Sequence, residues 1–283
     1  MRILLDIDLN RAMQTRWRIG GWLFLILRLN ALAAGPENEP VGSVLCSDFT
    51  ASVQTGVALL KAPLHFSTGQ WLATSAVLTT TVALFAVDQD IRRFAQRQRS
   101  SFNDHLFKLD RFYGNGYTLL ATGGLYAVGL AFDQPGWRRA GLRATQACIY
   151  SAMIIAAGKA AIGRRRPSAG DSQLFFKPFT FQDDLSSLPS GHAALSFAAA
   201  TVWAGSTEDA WCKILCYGSA GVIAGARLYH HVHWFSDVFL GSAIGCWVGA
   251  QVMRKPVTAS QAQAGRRWHL VCSADRVGVA LTW

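Results

Sequence analysis

Apolar residues gather into six runs, at 71–87, 117–132, 142–163, 193–206, 214–229 and 234–253. In the last four, polar residues form only a weak stripe at a 3.6-residue period, so those helices are enclosed on most sides. Several runs fall short of the roughly 20 residues that cross a bilayer core of ~30 Å, and flanking residues extend most of them by a turn. The runs are rich in Ala, Gly, Ser and Thr, the small residues that let membrane helices pack closely. The pattern predicts an all-α fold, a six-helix transmembrane bundle. A soluble bundle with buried helices is the competing reading.

The segments between the runs divide the chain further. At the N-terminus, Arg16 and Arg18 precede an apolar stretch at 20–29, broken by Arg28 and followed by Ala31-Leu32-Ala33. That order suits a signal-like leader with a small-x-small cleavage site, or an interfacial helix. Pro36 to Pro40 reads as a linker. The segment 88–116 interleaves Arg92, Arg93, Arg97, Arg99, Lys108 and Arg111 with apolar residues. It predicts an amphipathic helix at the membrane surface, or a plain solvated one. The expected organisation is a leader (1–34), a linker (35–66), N-terminal helices with the surface segment (67–141), a core (142–253) and a tail (254–283). The tail ends in Val277-Gly278-Val279-Ala280-Leu281-Thr282-Trp283, whose alternation suits a short strand with no assigned role.

Composition supports a membrane protein. The chain is 51% hydrophobic and 16% charged, against about 25% charged in an ordinary globular chain. These values exclude a disordered, collagen-like or small disulfide-scaffold protein. Lys and Arg number 27 against 17 acids, a net charge of +10. A basic balance suits nucleic acid or anionic lipid. No nucleic-acid motif is visible, so the expected partners are membrane lipids and a phosphorylated substrate, with no nucleic acid. Of the six cysteines, Cys212 and Cys216 share a helix face, but no His or acid completes a metal set, so they read as structural.

Charged residues cluster where the apolar runs end. Lys159 and Arg166 lie seven residues apart, which on one continuous helix places both on one face, with Pro167 ending it. A lysine point charge beside an arginine fork suits a phosphate dianion. Pro189-Ser190-Gly191-His192 opens an apolar run. There Ser190 can cap the helix, and Gly191 lets backbone N–H groups approach a phosphate beside His192. Arg227, His233 and Asp237 form the third cluster. On one helix face, Asp237 can hold the His233 imidazole by one nitrogen and leave the other free to attack. His230 and His231 lack an acid four residues on and read as loop residues or headgroup contacts.

In order and spacing, KAAIGRRRP, PSGH and ARLYHHVHWFSD resemble the three motifs of the PAP2 (type 2 phosphatidic acid phosphatase) superfamily. That superfamily includes lipid phosphate phosphatases, class A acid phosphatases and vanadium haloperoxidases. The resemblance covers roughly 142–253. Ala226 stands where the family often has Ser, which removes one hydroxyl from the phosphate cradle. The resemblance implies His233 as nucleophile forming a phosphohistidine, Asp237 orienting it, and His192 protonating the leaving oxygen and later activating water. Lys159, Arg166, Ser190, Gly191 and Arg227 would bind phosphate, with no metal and no cofactor. It implies a membrane phosphatase for lipid phosphates or pyrophosphates, its site at one membrane face. A soluble secreted phosphatase or haloperoxidase, and a silent headgroup-binding protein, are the alternatives. Arg138, Arg139, Arg143, Arg254 and Lys255 would lie on the opposite face. By the positive-inside rule the site of an inner-membrane protein would then face the periplasm or exterior.

Overall fold

The computed structural model describes residues 41–170, 172–254, 267–273 and 276–282. The leader reading (1–34) and Lys255 lie outside the described residues. In chain order the elements are α1 (Val41–Lys61), α2 (Thr68–Leu84), α3 (Asp88–Arg97), α4 (Ser101–Phe107), α5 (Gly116–Ala131), α6 (Pro135–Ile162), α7 (Gly191–Gly205), α8 (Ala210–Tyr229) and α9 (Phe235–Met253). Strands β1 (Arg267–Ser273) and β2 (Arg276–Thr282) follow and pair antiparallel, with Arg267 opposite Thr282. The alternating tail is thus half of a small hairpin appended to an otherwise all-helical fold.

Helix α7 lies at the centre, against α6, α8 and α9. These four alternate in direction. The end of α6, the start of α7, the end of α8 and the start of α9 meet at one end of the bundle. At the other end Met253 lies beside Gly205 and Arg143. Small residues make this packing possible. Ala193, Ala194, Ala198, Ala199 and Ala200 of α7 are fully buried. Facing them, Gly241, Gly245 and Gly249 of α9 recur every fourth residue, on one helix face. A methyl at Gly249 would come within 2.7 Å of Thr201 Cβ, and methyls at Gly241 and Gly245 would collide with the Ser190 and Ala194 carbonyls. The backbones therefore approach more closely than side chains would allow.

Among the described residues three helical segments are long and apolar enough to cross a membrane: Val41–His65, Pro135–Ile162 and Phe235–Met253. The pair Thr68–Leu84 and Asp88–Arg97, bent by 65°, is a fourth if counted as one span. That is fewer than the six runs suggest. Helices α5 and α7 have 16 and 15 residues, below the roughly 20 that a bilayer core requires. The expected linker at 35–66 is largely helix α1. Two of its polar side chains are satisfied within the helix, because Ser52 and Thr55 donate to the carbonyls of Asp48 and Ala51 one turn back, at 2.7 and 2.8 Å.

The basic segment 88–116 folds as α3, α4 and a 3₁₀ turn at Lys108–Arg111. It closes over the end of the bundle where α8 stops and α9 starts. Gln96 donates to the carbonyls of Leu228 and Tyr229 at 3.1 and 3.2 Å, and the Arg99 guanidinium lies 4.5 Å over the Tyr229 ring. Phe94, Phe102, Leu109 and Phe112 point outward and are exposed, which suits a segment resting in the headgroup region.

Candidate active site

Helix α6 ends at Gly163, not at Pro167. Gly163 adopts φ +61° and donates to the Lys159 carbonyl at 2.9 Å. Glycine favours this left-handed turn because it has no Cβ, and a Cβ here would collide with the Lys177 carbonyl. Lys159 therefore stays in the last helical turn, while Arg164, Arg165 and Arg166 leave in a loop. This corrects the shared-face argument: Lys159 and Arg166 come together through a turn rather than along one helix. Lys159 lies within electrostatic reach of Arg166, Asp237 and Arg227.

The returning loop holds Arg166 in place. Its backbone N–H donates to the Asp184 carbonyl at 2.7 Å, and Nη2 donates to Ser186 Oγ at 2.9 Å. Its Nε is buried without a protein partner. Arg227, in the last turn of α8, is anchored by Asp110 at 2.6 Å, and its Nε is likewise unpartnered. Ser190 precedes α7 but does not cap it, and its buried hydroxyl has no partner. Leaving a buried donor unpaired costs about 1–3 kcal/mol. Two guanidinium N–H groups and one hydroxyl left this way form a set of donors suited to an oxyanion. Gly191 begins α7, and a Cβ there would meet only Ile155 Cγ2, at 3.7 Å, so this helix end is uncrowded.

His233 lies just before α9, and Asp237 is in the first turn, so the pair spans a helix start rather than one helix face. Nδ1 of His233 is 2.8 Å from the Ser187 carbonyl and 3.7 Å from Asp237 Oδ2. A carbonyl only accepts, so Nδ1 carries the proton and Nε2 keeps its lone pair. Burial pushes the His233 pKa down to about 4, opposed by Asp237. His192, on the second residue of α7, is within electrostatic reach of His233, Arg227, Lys159 and Arg166. The structure thus brings Lys159, Arg166, Ser190, His192, Arg227, His233 and Asp237 to one end of the bundle, with Gly191 between Ser190 and His192.

Asp237 accepts from the backbone N–H of Trp234 at 2.9 Å, from the Ser187 hydroxyl and from Arg164 Nη1 at 2.6 Å. Arg164 is the residue that sequence reasoning passed over. Fully buried, it also contacts Asp88 at 2.7 Å and Ser236 Oγ at 2.7 Å, and packs 4.3 Å over the Phe85 ring. Asp88 in turn receives the Ser236 backbone N–H at 2.9 Å and its hydroxyl at 2.6 Å. The available signal was an acid directly after an apolar run, Asp88, in a chain with only 17 acids. Asp110, which holds Arg227, has no such signal, since it lies inside the basic 88–116 segment. His230 and His231 are turn residues, as expected. His230 Nε2 lies 3.2 Å from the Phe107 carbonyl.

Comparison with known proteins finds a family model, a curated relative and two solved structures that match the chain. Residues 141–260 match the family model of the PAP2 superfamily. A lipid A 1-phosphatase of Porphyromonas gingivalis is 24% identical over 234 residues, covering 80% of this chain and 47% of that protein. The chain thus spans about half the length of this curated relative. The crystal structure of the first transmembrane PAP2-type phosphatidylglycerolphosphate phosphatase, from Bacillus subtilis, matches at TM-score 0.50 and 21% identity. That match covers 63% of this chain and 92% of the other, a likeness of fold. Aquifex aeolicus LpxE matches at TM-score 0.47 and 23% identity, covering 59% and 94%.

Proposed function

We propose that this chain, whose residues 141–260 belong to the PAP2 superfamily, is an inner-membrane phosphatase that hydrolyses lipid phosphate monoesters or pyrophosphates through a phosphohistidine. One observation carries the reading: His233 has Nδ1 committed to Ser187 and a bare Nε2 beside a cluster of fixed cations. Burial and the surrounding cations push the His192 pKa down to about 3 in the free enzyme, and the bound phosphate dianion offsets those cations so that His192 enters the step protonated. Nε2 attacks phosphorus, and the bond to the leaving oxygen breaks as His192 gives that oxygen a proton. His192, now neutral, takes a proton from water. The water oxygen attacks phosphorus, the P–N bond breaks, and inorganic phosphate leaves. Lys159, Arg166, Arg227 and the Ser190 hydroxyl hold the equatorial oxygens, where negative charge builds. Asp237 stabilises the positive charge that His233 acquires on attack.

Candidate substrates are phosphatidic acid, phosphatidylglycerol phosphate, undecaprenyl pyrophosphate and a phosphate of lipid A. The name of the Porphyromonas gingivalis relative favours the last. The exposed apolar residues around the site end suit a substrate drawn from the bilayer plane. The test offers these lipids to purified protein in detergent and measures phosphate release, beside His233→Ala. The wild type should release phosphate from at least one lipid. The variant should lose about 10³-fold or more while keeping its melting profile. Near-normal turnover in the variant would refute the nucleophile.

A further inference from the structure

A second cavity lies beside this site. It has a volume of about 510 Å³ and is lined by Gln89, Arg92, Arg93, Gln96, Arg97 and His231. We propose that it binds a second anionic group, a phosphate or phosphodiester, carried by the same lipid whose scissile phosphate meets His233. The proposal rests on the phosphatase reading above and narrows its substrate to lipids with two anionic groups.

Three guanidinium groups face one cavity. Among the described residues, Asp90 engages Arg93 at 2.5 Å and leaves that guanidinium largely exposed at the cavity edge. Guanidinium forks match phosphate oxygens in geometry as well as charge. Arg92 is already set in position: its Nε lies 2.5 Å from His231 Nε2, and its guanidinium is 5.6 Å over the Trp234 ring. A side chain held in place loses little conformational freedom when a ligand arrives.

Position ties the cavity to the site. His231 is two residues from His233, so their Cα atoms are at most about 7 Å apart. His231 takes φ 62°, a turn between the two pockets. Helix α3, which supplies the arginines, also exposes Phe94 and lies against the site end of the bundle. Basic groups beside an exposed aromatic place the cavity at headgroup depth. A headgroup with its terminal phosphate at His233 and a second phosphate a few bonds away would reach both.

The test measures kcat and KM of the full chain in neutral detergent with phosphatidic acid, which has one phosphate, and phosphatidylglycerol phosphate, which has two. The variant Arg93→Gln/Arg97→Gln changes two exposed residues outside the catalytic set. It should raise KM about tenfold for the two-phosphate lipid, stay within twofold for phosphatidic acid and leave both kcat values unchanged. An equal rise on both lipids, or no rise on either, overturns the proposal. A further arm adds phosphatidylglycerol to phosphatidic acid micelles. If phosphatidic acid turnover then becomes sensitive to the variant, the cavity holds a neighbouring lipid, and the single-lipid claim fails. Failure of the wild type to release phosphate from any of the four candidate lipids would sink the phosphatase reading instead. Binding of phosphatidylglycerol phosphate to His233→Ala would then test the cavity alone: about tenfold weaker affinity on adding the two Gln changes supports it, and unchanged affinity overturns it.

Discussion

The guanidinium of Arg164 meets the carboxylate of Asp237 at 2.6 Å, and neither side chain has any exposed surface. The same guanidinium holds Asp88 at 2.7 Å. One cation is therefore shared by an acid from the start of α3 and the acid beside the His233 imidazole. Removing one partner of a buried pair leaves uncompensated charge and costs about 3–5 kcal/mol. Arg164→Gln should lower the melting temperature in detergent and abolish most activity. Asp88→Asn should be milder and more telling, with kcat falling and KM for the lipid phosphate staying near wild type. A variant with full kcat would show that Asp88 does not help to position the catalytic pair.

Acidity provides a second check. Burial holds His233 down to about 4, below the ordinary histidine value of about 6.5. Only the neutral ring can attack. After correction for the substrate's own ionisation, kcat/KM should hold through pH 6 and fall as pH approaches about 4. An acid limb centred near 6.5 would contradict a buried neutral nucleophile. The stability linkage has the same sign. A depressed folded-state pKa gives a contribution present above about 6.5 and lost as pH falls through about 4.

Leaving-group chemistry separates the two histidines. His192→Ala should slow release from lipid monoesters by roughly 10²-fold, the usual worth of a positioned acid. With an aryl phosphate, whose leaving oxygen needs no proton, the loss should shrink. Equal losses on both substrates would remove His192 from the acid role.

Cations of the chain itself, Lys159, Arg166 and Arg227, face the proposed phosphate position. Activity should therefore survive dialysis against EDTA without change. Loss restored by a divalent ion would overturn the metal-free mechanism.

Much of the site could be read from the chain before folding, because each motif contains its own chemistry: His233, Asp237, His192, Lys159, Arg166 and Arg227. What could not be read depended on turns. The Lys159–Arg166 spacing suggested a helix face, yet Gly163 breaks the helix between them. Asp88, Arg164 and Asp110 escaped notice because their partners are 76, 73 and 117 residues away, and no local spacing announces such pairs. Charge along the chain points both ways. The cations of 88–111 pack at the site end, while Arg138, Arg139, Arg143 and Arg254 lie toward the other, so basic residues sit at both ends of the bundle. The linker expected at 35–66 follows from Pro36 to Pro40, and those two prolines carry no information about the helix at 41–61 that comes after them.

The glycine seam between α7 and α9 has a consequence for the chemistry. Gly241 lies directly against the backbone of Ser190, whose hydroxyl is one of the unpaired donors. The gauge of the catalytic chamber is thus set by a missing methyl group. Were the two helices to part by the width of one carbon, that hydroxyl would move off target, so the seam acts as a calibration of turnover as much as a joint.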